Sequence, residues 1–215
     1  MAETKDQSKS DQSKTVPVVY IVDDDLSMRE SLVDLFLSIK MDATAFDSAA
    51  AFLAGADLDR HGCILLDVRL PGLNGLDFQN QLERMGKKAP IVFMTGFGDI
   101  PMSVRAMKAG AVDFLTKPFR DQDVLDAVFA ALEKDAAMRQ ASAAGDAIRR
   151  LADTLTPRER EVMVAVVEGL MNKQIAYNLG ISEITVKLHR GNVMRKMQAR
   201  SVAELVRMCE MLDKQ

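Results

Sequence analysis

Six polar side chains stand at or just behind the ends of short apolar runs. Asp23, Asp24 and Asp25 follow VVYIV (18–22), Asp67 follows CILL (63–66), Thr95 follows IVFM (91–94), and Lys117 comes two residues after VDFL (112–115). In an open α/β sheet, ligands bind outside the carboxyl ends of the strands, so residues at those ends meet along one edge. Carboxylates crowded together repel, and a divalent cation among them relieves the repulsion; oxygen-only ligands select a hard ion such as Mg²⁺ and disfavour zinc. With Mg²⁺ on Asp23 or Asp24, one oxygen of Asp67 and the backbone carbonyl of Arg69, the second Asp67 oxygen is left to attack a phosphoryl group. Lys117 and the Thr95 hydroxyl would then bind the phosphoryl oxygens and offset the developing charge. Asp25 reads instead as a cap of the helix that follows.

Such an edge needs a sheet. From Val18 onward, apolar runs at 18–22, 42–46, 63–66, 91–94 and 112–115 alternate with amphipathic stretches at 26–40, 48–55, 75–85, 99–110 and 121–134. Three of the runs are continuously apolar, as expected of parallel strands covered on both faces by helices. The spacing predicts an α/β fold with a five-stranded, doubly wound parallel sheet over 16–134. Residues 135–153, rich in Ala and charge, suit a helical linker with a possible break at Gly145. Four helical patterns follow at 157–169, 172–180, 182–197 and 201–212, so 154–215 reads as a small all-α domain. Residues 1–15 lack apolar periodicity and read as a disordered tail.

Composition narrows the classes. A chain of 215 residues, 48% apolar and 27% charged, is globular and long enough for two unequal domains. No run approaches the ~20 apolar residues of a membrane span, and the polar start offers no signal peptide, so a cytoplasmic protein without membrane contact is expected. Cys63 and Cys209 form neither a disulfide framework nor a metal cluster. His61 and His189 are the two histidines, so any phosphohistidine must come from a partner. Residues 154–215 carry 10 Lys and Arg against 7 Asp and Glu, leaving 18 against 24 for the remainder: an acidic front and a basic back.

The segments VDDD (22–25), LLDVRLPGLNG (65–75), MTGFGD (94–99) and FLTKPF (114–119) together resemble the receiver domain of two-component response regulators, from residue 18 to about 134. The resemblance is specific because four motifs occur in order. It implies a flavodoxin-like fold, an acidic pair at Asp23 and Asp24, a phosphoacceptor at Asp67, a switch hydroxyl at Thr95, an essential lysine at Lys117, and a histidine kinase as phosphodonor. It further implies that Thr95 couples to the aromatic Phe114 and that phosphorylation alters the surface from Ile100 to Phe119. The GFGDIPMSVRAMKAGAVDF segment is similar to the FixJ branch, which implies a homodimer when phosphorylated. Pro118 could make a cis bond with Lys117. Bulky Arg69 and Phe97 would hinder water from reaching a phosphoryl group.

At the basic end, a short helix, a turn through LGIS and a helix opened by Ser182 have the spacing of a helix-turn-helix, with Ser182 as N-cap and Gly180 supplying the turn. On the second helix Lys187, Arg190 and Arg195 line a basic face, while Ile184, Leu188 and Met194 are expected to anchor it. Such a helix can enter the major groove. The stretch 155–201, with LTPRE, NKQIA and TVKLHRGNVMRKM, resembles the LuxR-type helix-turn-helix. By that resemblance, Lys187 and Leu188 face the bases of a double-stranded operator, with Arg190 available beside them. Lys173, Thr185, His189 and Lys196 approach the backbone, the last helix (Val202, Leu205, Val206, Cys209, Leu212) forms a dimer interface on DNA, and RNA polymerase is a partner. Gly191 departs from relatives that carry a larger polar residue there.

Two other classes compete. A haloacid-dehalogenase-like phosphatase also uses an aspartyl nucleophile beside Mg²⁺, but needs a second acid two residues on, and Asp67 is followed by Val68 and Arg69. Self-catalysed phosphoryl transfer, rather than turnover of an external substrate, is expected. A constitutive DNA-binding adaptor would not need the five acidic, hydroxyl and lysine groups.

Overall fold

The computed structural model describes residues 16–96 and 100–213. The tail 1–15 and Phe97, with the rest of the Phe97–Asp99 segment, lie outside the described residues. The chain divides into two compact units, Met1–Met138 and Arg139–Gln215.

In the first unit, β1 (Val18–Val22), β2 (Asp42–Phe46), β3 (Gly62–Asp67), β6 (Ile91–Thr95) and β7 (Asp113–Thr116) form a sheet in the order β2-β1-β3-β6-β7. Every pairing is parallel. A parallel neighbour requires a crossover, and the helices α1 (Leu26–Ser38), α2 (Ala49–Gly55), α3 (Gly75–Arg84) and α4 (Ile100–Lys108) supply those connections. Alternate residues of β1, β3 and β6 enter two apolar clusters, one on each face of the sheet. On one face Tyr20, Phe46, Phe52 and Phe78 meet edge-on or tilted, with ring centroids 5.4–6.2 Å apart. Full burial of the Phe52 and Phe78 rings contributes about 1.5–3 kcal/mol each. That double coverage explains the continuous apolar runs of the sequence and confirms the expected α/β fold.

The structure adds a two-stranded hairpin, β4 (Arg69–Leu70) with β5 (Leu73–Asn74), immediately behind Asp67. Gly72, at φ +82°, makes the turn in a conformation that favours glycine. Helix α5 runs unbroken from Asp121 to Asp153, so the anticipated break at Gly145 is not there. One glycine costs a helix about 1 kcal/mol, which the surrounding alanines and long charged residues outweigh. Lys134 of α5 donates to the Gly110 carbonyl at 3.0 Å, and buried Asp135 accepts from the Gly62 amide at 3.0 Å and pairs with His61 Nδ1 at 2.7 Å.

The second unit contains α6 (Pro157–Val167), α7 (Asn172–Leu179), α8 (Glu183–Lys196) and α9 (Val202–Asp213), around a third apolar cluster that includes Val162, Ile175, Val186, Val193, Met197 and Leu205. Among the described residues, no helix is long and apolar enough to cross a membrane.

Candidate functional site

At the carboxyl edge of the sheet the acidic residues converge as their positions require. Asp23 follows the last residue of β1, Asp67 closes β3, Thr95 closes β6, and Lys117 follows β7. Carboxylate oxygens of Asp23, Asp24 and Asp67 lie within 4.8 Å of one another. The Lys117 ammonium donates to Asp23 Oδ2 at 2.5 Å and Asp67 Oδ2 at 2.6 Å. Its own amide donates to the Thr95 carbonyl at 2.7 Å, which fastens the lysine to the end of β6; its bond to Pro118 is cis.

Asp23 and Asp67 are buried, whereas Asp24 is exposed. Burial pushes the Asp23 carboxyl above its ordinary value, and the Lys117 ammonium and Asp25 amide only partly offset this. For Lys117, burial favours the neutral amine, but the bonds to Asp23 and Asp67 together prevail and raise it, so the ammonium persists at neutral pH. The Asp25 amide donates to Asp23 Oδ1 at 3.0 Å and the Arg69 amide to Asp67 Oδ1 at 2.8 Å, so backbone donors orient one oxygen of each acid. Asp25 caps α1 by accepting from the Ser27 and Met28 amides, as its place in the sequence suggests. Arg29, which the sequence did not single out, donates to the Asp23 carbonyl at 2.8 Å from one turn into α1.

Three oxygen donors, two buried and one open to water, fit a hard divalent cation, with the exposed acid able to share its ion with solvent. Gly75 is small for a reason of packing: a Cβ there would stand 2.9 Å from the Asp67 carbonyl oxygen and 3.1 Å from Val68 Cα. Thr95 is fully buried. Phe114, opposite Phe93 in the β6–β7 register, is half-buried against the cluster that holds Phe93 and Ala106.

In the second unit, Thr156 and Glu159 form a capping box with Pro157 at the start of α6, which explains the LTPRE opening in local terms. Ser182 caps α8 by accepting from the Thr185 amide at 3.1 Å, and Gly180 turns the chain between α7 and α8 at φ +64°. Lys173, Lys187 and Leu188 are exposed. Thr185 is half-buried and its hydroxyl pairs with Ser182 Oγ at 2.8 Å. His189 is half-buried with Nδ1 sealed from water, and Arg190 donates to Asn172 Oδ1 at 3.1 Å.

One expectation changes. Ile184 and Leu188 do not anchor α8: they are 80% and 64% exposed, and Val186, Val193 and Met197 fill the core instead. The helix carries apolar side chains on both sides, so its sequence does not single out an inward face. The Lys196 ammonium is engaged by Glu159 Oε2 at 2.5 Å and the Thr154 carbonyl at 3.0 Å. That pair and the Thr156 amide, prevailing over burial, hold the Glu159 carboxyl down at about 2. In the last helix, Leu205 is core, and Val202, Cys209 and Leu212 pack against it.

Comparison with known proteins agrees with this division. Residues 19–129 match the family model described as the response regulator receiver domain, and residues 153–209 match that of bacterial regulatory proteins of the luxR family. The chain is 54% identical over 201 residues to Nodulation protein W of Bradyrhizobium diazoefficiens, covering 94% of this chain and 88% of the relative. It is 50% identical over 192 residues to Transcriptional regulatory protein FixJ of Azorhizobium caulinodans, covering 88% and 90%. Among solved structures, response regulator StyR superposes with a TM-score of 0.76 at 48% identity over 91% of this chain and 99% of the other. Full-length FixJ from B. japonicum gives 0.55 at 40% identity over 93% and 98%.

Proposed function

Because the chain belongs to the response regulators of the NarL/FixJ family, a receiver joined to a LuxR-type DNA-binding domain, we propose that Asp67 is its phosphoacceptor and that the acidic edge is its switch. It is a DNA-binding transcriptional regulator of a two-component system. The observation that carries the site assignment is the Lys117 ammonium held between Asp23 and Asp67 at the sheet edge.

In this reading Asp23 or Asp24, Asp67 and the Arg69 carbonyl hold Mg²⁺, which supplies charge neutralisation for the incoming phosphoryl group. Asp67 attacks the phosphorus of a phosphohistidine on the kinase; the P–N bond breaks, the imidazole leaves, and an acyl phosphate forms on the aspartate. Lys117 exchanges a carboxylate oxygen for a phosphoryl oxygen, and the Thr95 hydroxyl reorients toward the same group. Phe114 follows Thr95, altering the surface from 100 to 119 and favouring a homodimer. Lys187, Leu188 and Arg190 then read operator bases, while Lys173, Thr185, His189 and Lys196 approach phosphates and RNA polymerase is recruited in the cytoplasm. For Lys196 this requires release from Glu159.

The test is intact-protein mass after incubation with Mg²⁺ and acetyl phosphate, for wild type and Asp67→Asn, followed by light scattering. One phosphoryl adduct, absent from the variant and accompanied by doubled mass in solution, is expected. An adduct retained in Asp67→Asn would reject the assignment.

A further inference from the structure

Among the described residues, the four most exposed large apolar side chains, Tyr177 at 88%, Ile184 at 80%, Met171 at 67% and Leu188 at 64%, all fall between residues 171 and 188. Single exposed apolar residues are ordinary, but a concentration of them marks a surface that something else covers. Ile184 and Leu188 are four residues apart on α8, hence neighbours along one helix face. The core residues Val186 and Val193 occupy the other side. Both exposed residues lie in the half of α8 that Ser182 opens, with the exposed ammonium of Lys187 beside Leu188 and that of Lys173 on α7.

We infer that Ile184 and Leu188 form an apolar ridge that reads thymine methyl groups in the major groove, and that Ile184 is thereby a specificity-determining residue of the operator. The inference rests on the DNA-binding reading above. Lys187 can donate to a base edge and Lys173 to phosphate, but an isoleucine and a leucine have no polar atom to offer either. In the major groove, the C5-methyl of thymine is the apolar feature that distinguishes its base pair. A branched pair one helical turn apart can cover such methyls on neighbouring base pairs. Gly191, exposed with open space where its side chain would stand, adds no polar contact further along α8, which leaves the ridge a larger share of the readout.

The experiment uses the full chain treated with acetyl phosphate and Mg²⁺. Duplexes are first selected from a pool with a randomised centre, and each thymine of the selected site is then replaced by uracil, which removes the methyl and leaves every hydrogen-bonding edge intact. The expected result for wild type is a loss of about fourfold in affinity at one or two positions, the worth of one buried carbon. In Ile184→Ala or Leu188→Ala the thymine-to-uracil ratio at one of those positions falls to about one, and Ile184→Val keeps part of it. Equal affinity for all uracil and thymine forms in wild type would overturn the ridge, as would variants that weaken binding without changing the ratio. A pool from which no duplex is enriched would instead remove the DNA-binding reading itself.

Discussion

Replacing Lys117 with alanine tests the acidic edge most sharply, because one ammonium serves two buried carboxylates. At an effective dielectric constant of about 20, unit charges separated by the observed 2.5 and 2.6 Å attract by about 6 kcal/mol each. Desolvation of the three groups consumes much of that, and removing one member of a buried ion pair typically costs about 3–5 kcal/mol. For a domain of this size that corresponds to a fall of about 10–20 °C in melting temperature. A divalent cation competes with the ammonium for the same oxygens, so Mg²⁺ should raise the melting temperature of Lys117→Ala more than that of wild type, while formation of the acetyl phosphate adduct slows. The pH dependence has a definite sign. Lys117 is raised in the folded chain, so its contribution is complete below the ordinary lysine value of 10.5 and disappears as pH rises through the folded value. Circular dichroism melts of the full chain, with and without Mg²⁺, provide the measurement. A variant that melts with wild type, or that gains less from Mg²⁺ than wild type does, would refute the reasoning.

Glu159 makes the opposite pH prediction: held at about 2 rather than 4.5, it stabilises the second unit fully above pH 4.5 and loses that contribution as pH falls toward 2. Glu159→Gln should flatten the acid limb of that unit's unfolding, measured by urea midpoints across the range; an unchanged limb would count against the pair with Lys196. At Gly191, where a Cβ meets nothing within 4 Å, lysine should fit, stabilise α8 by roughly 0.7 kcal/mol and steepen the salt dependence of DNA affinity by about one unit per bound chain. A salt slope equal to wild type would place that face of α8 away from phosphate. At Gly62 a Cβ would lie 2.3 Å from the Val18 carbonyl oxygen, so Gly62→Ala should destabilise the sheet by more than about 3 kcal/mol; a wild-type denaturation midpoint would contradict the β1–β3 packing.

The sheet was legible because burial on two faces writes itself into sequence as uninterrupted apolar runs, and each run at 18–22, 63–66 and 91–94 delivered its next polar residue to the same edge. Asp23, Asp67 and Thr95 follow from that rule, and Asp24 and Lys117 lie one residue beyond the position it names. Arg29 could not, since an arginine early in an amphipathic helix has no signature that aims it at a backbone carbonyl. Glu159 and Lys196 stand 37 residues apart, and nothing local announces their pairing. The hairpin at 69–74 contributes two residues per strand, too few for alternation to register. Ile184 and Leu188 misled for the reason that makes them interesting: a helix apolar on both sides has an inward face only once its neighbours are in place.

Helix α5 carries one more consequence. Its residues through Leu132 complete the core of the first unit, and those from Ile148 belong to the core of the second. Residues 136–147, about 18 Å of helix, join none of the three apolar clusters. Cutting the chain within 136–147 therefore removes no residue of any apolar cluster, so each unit keeps the side chains that fill its own core.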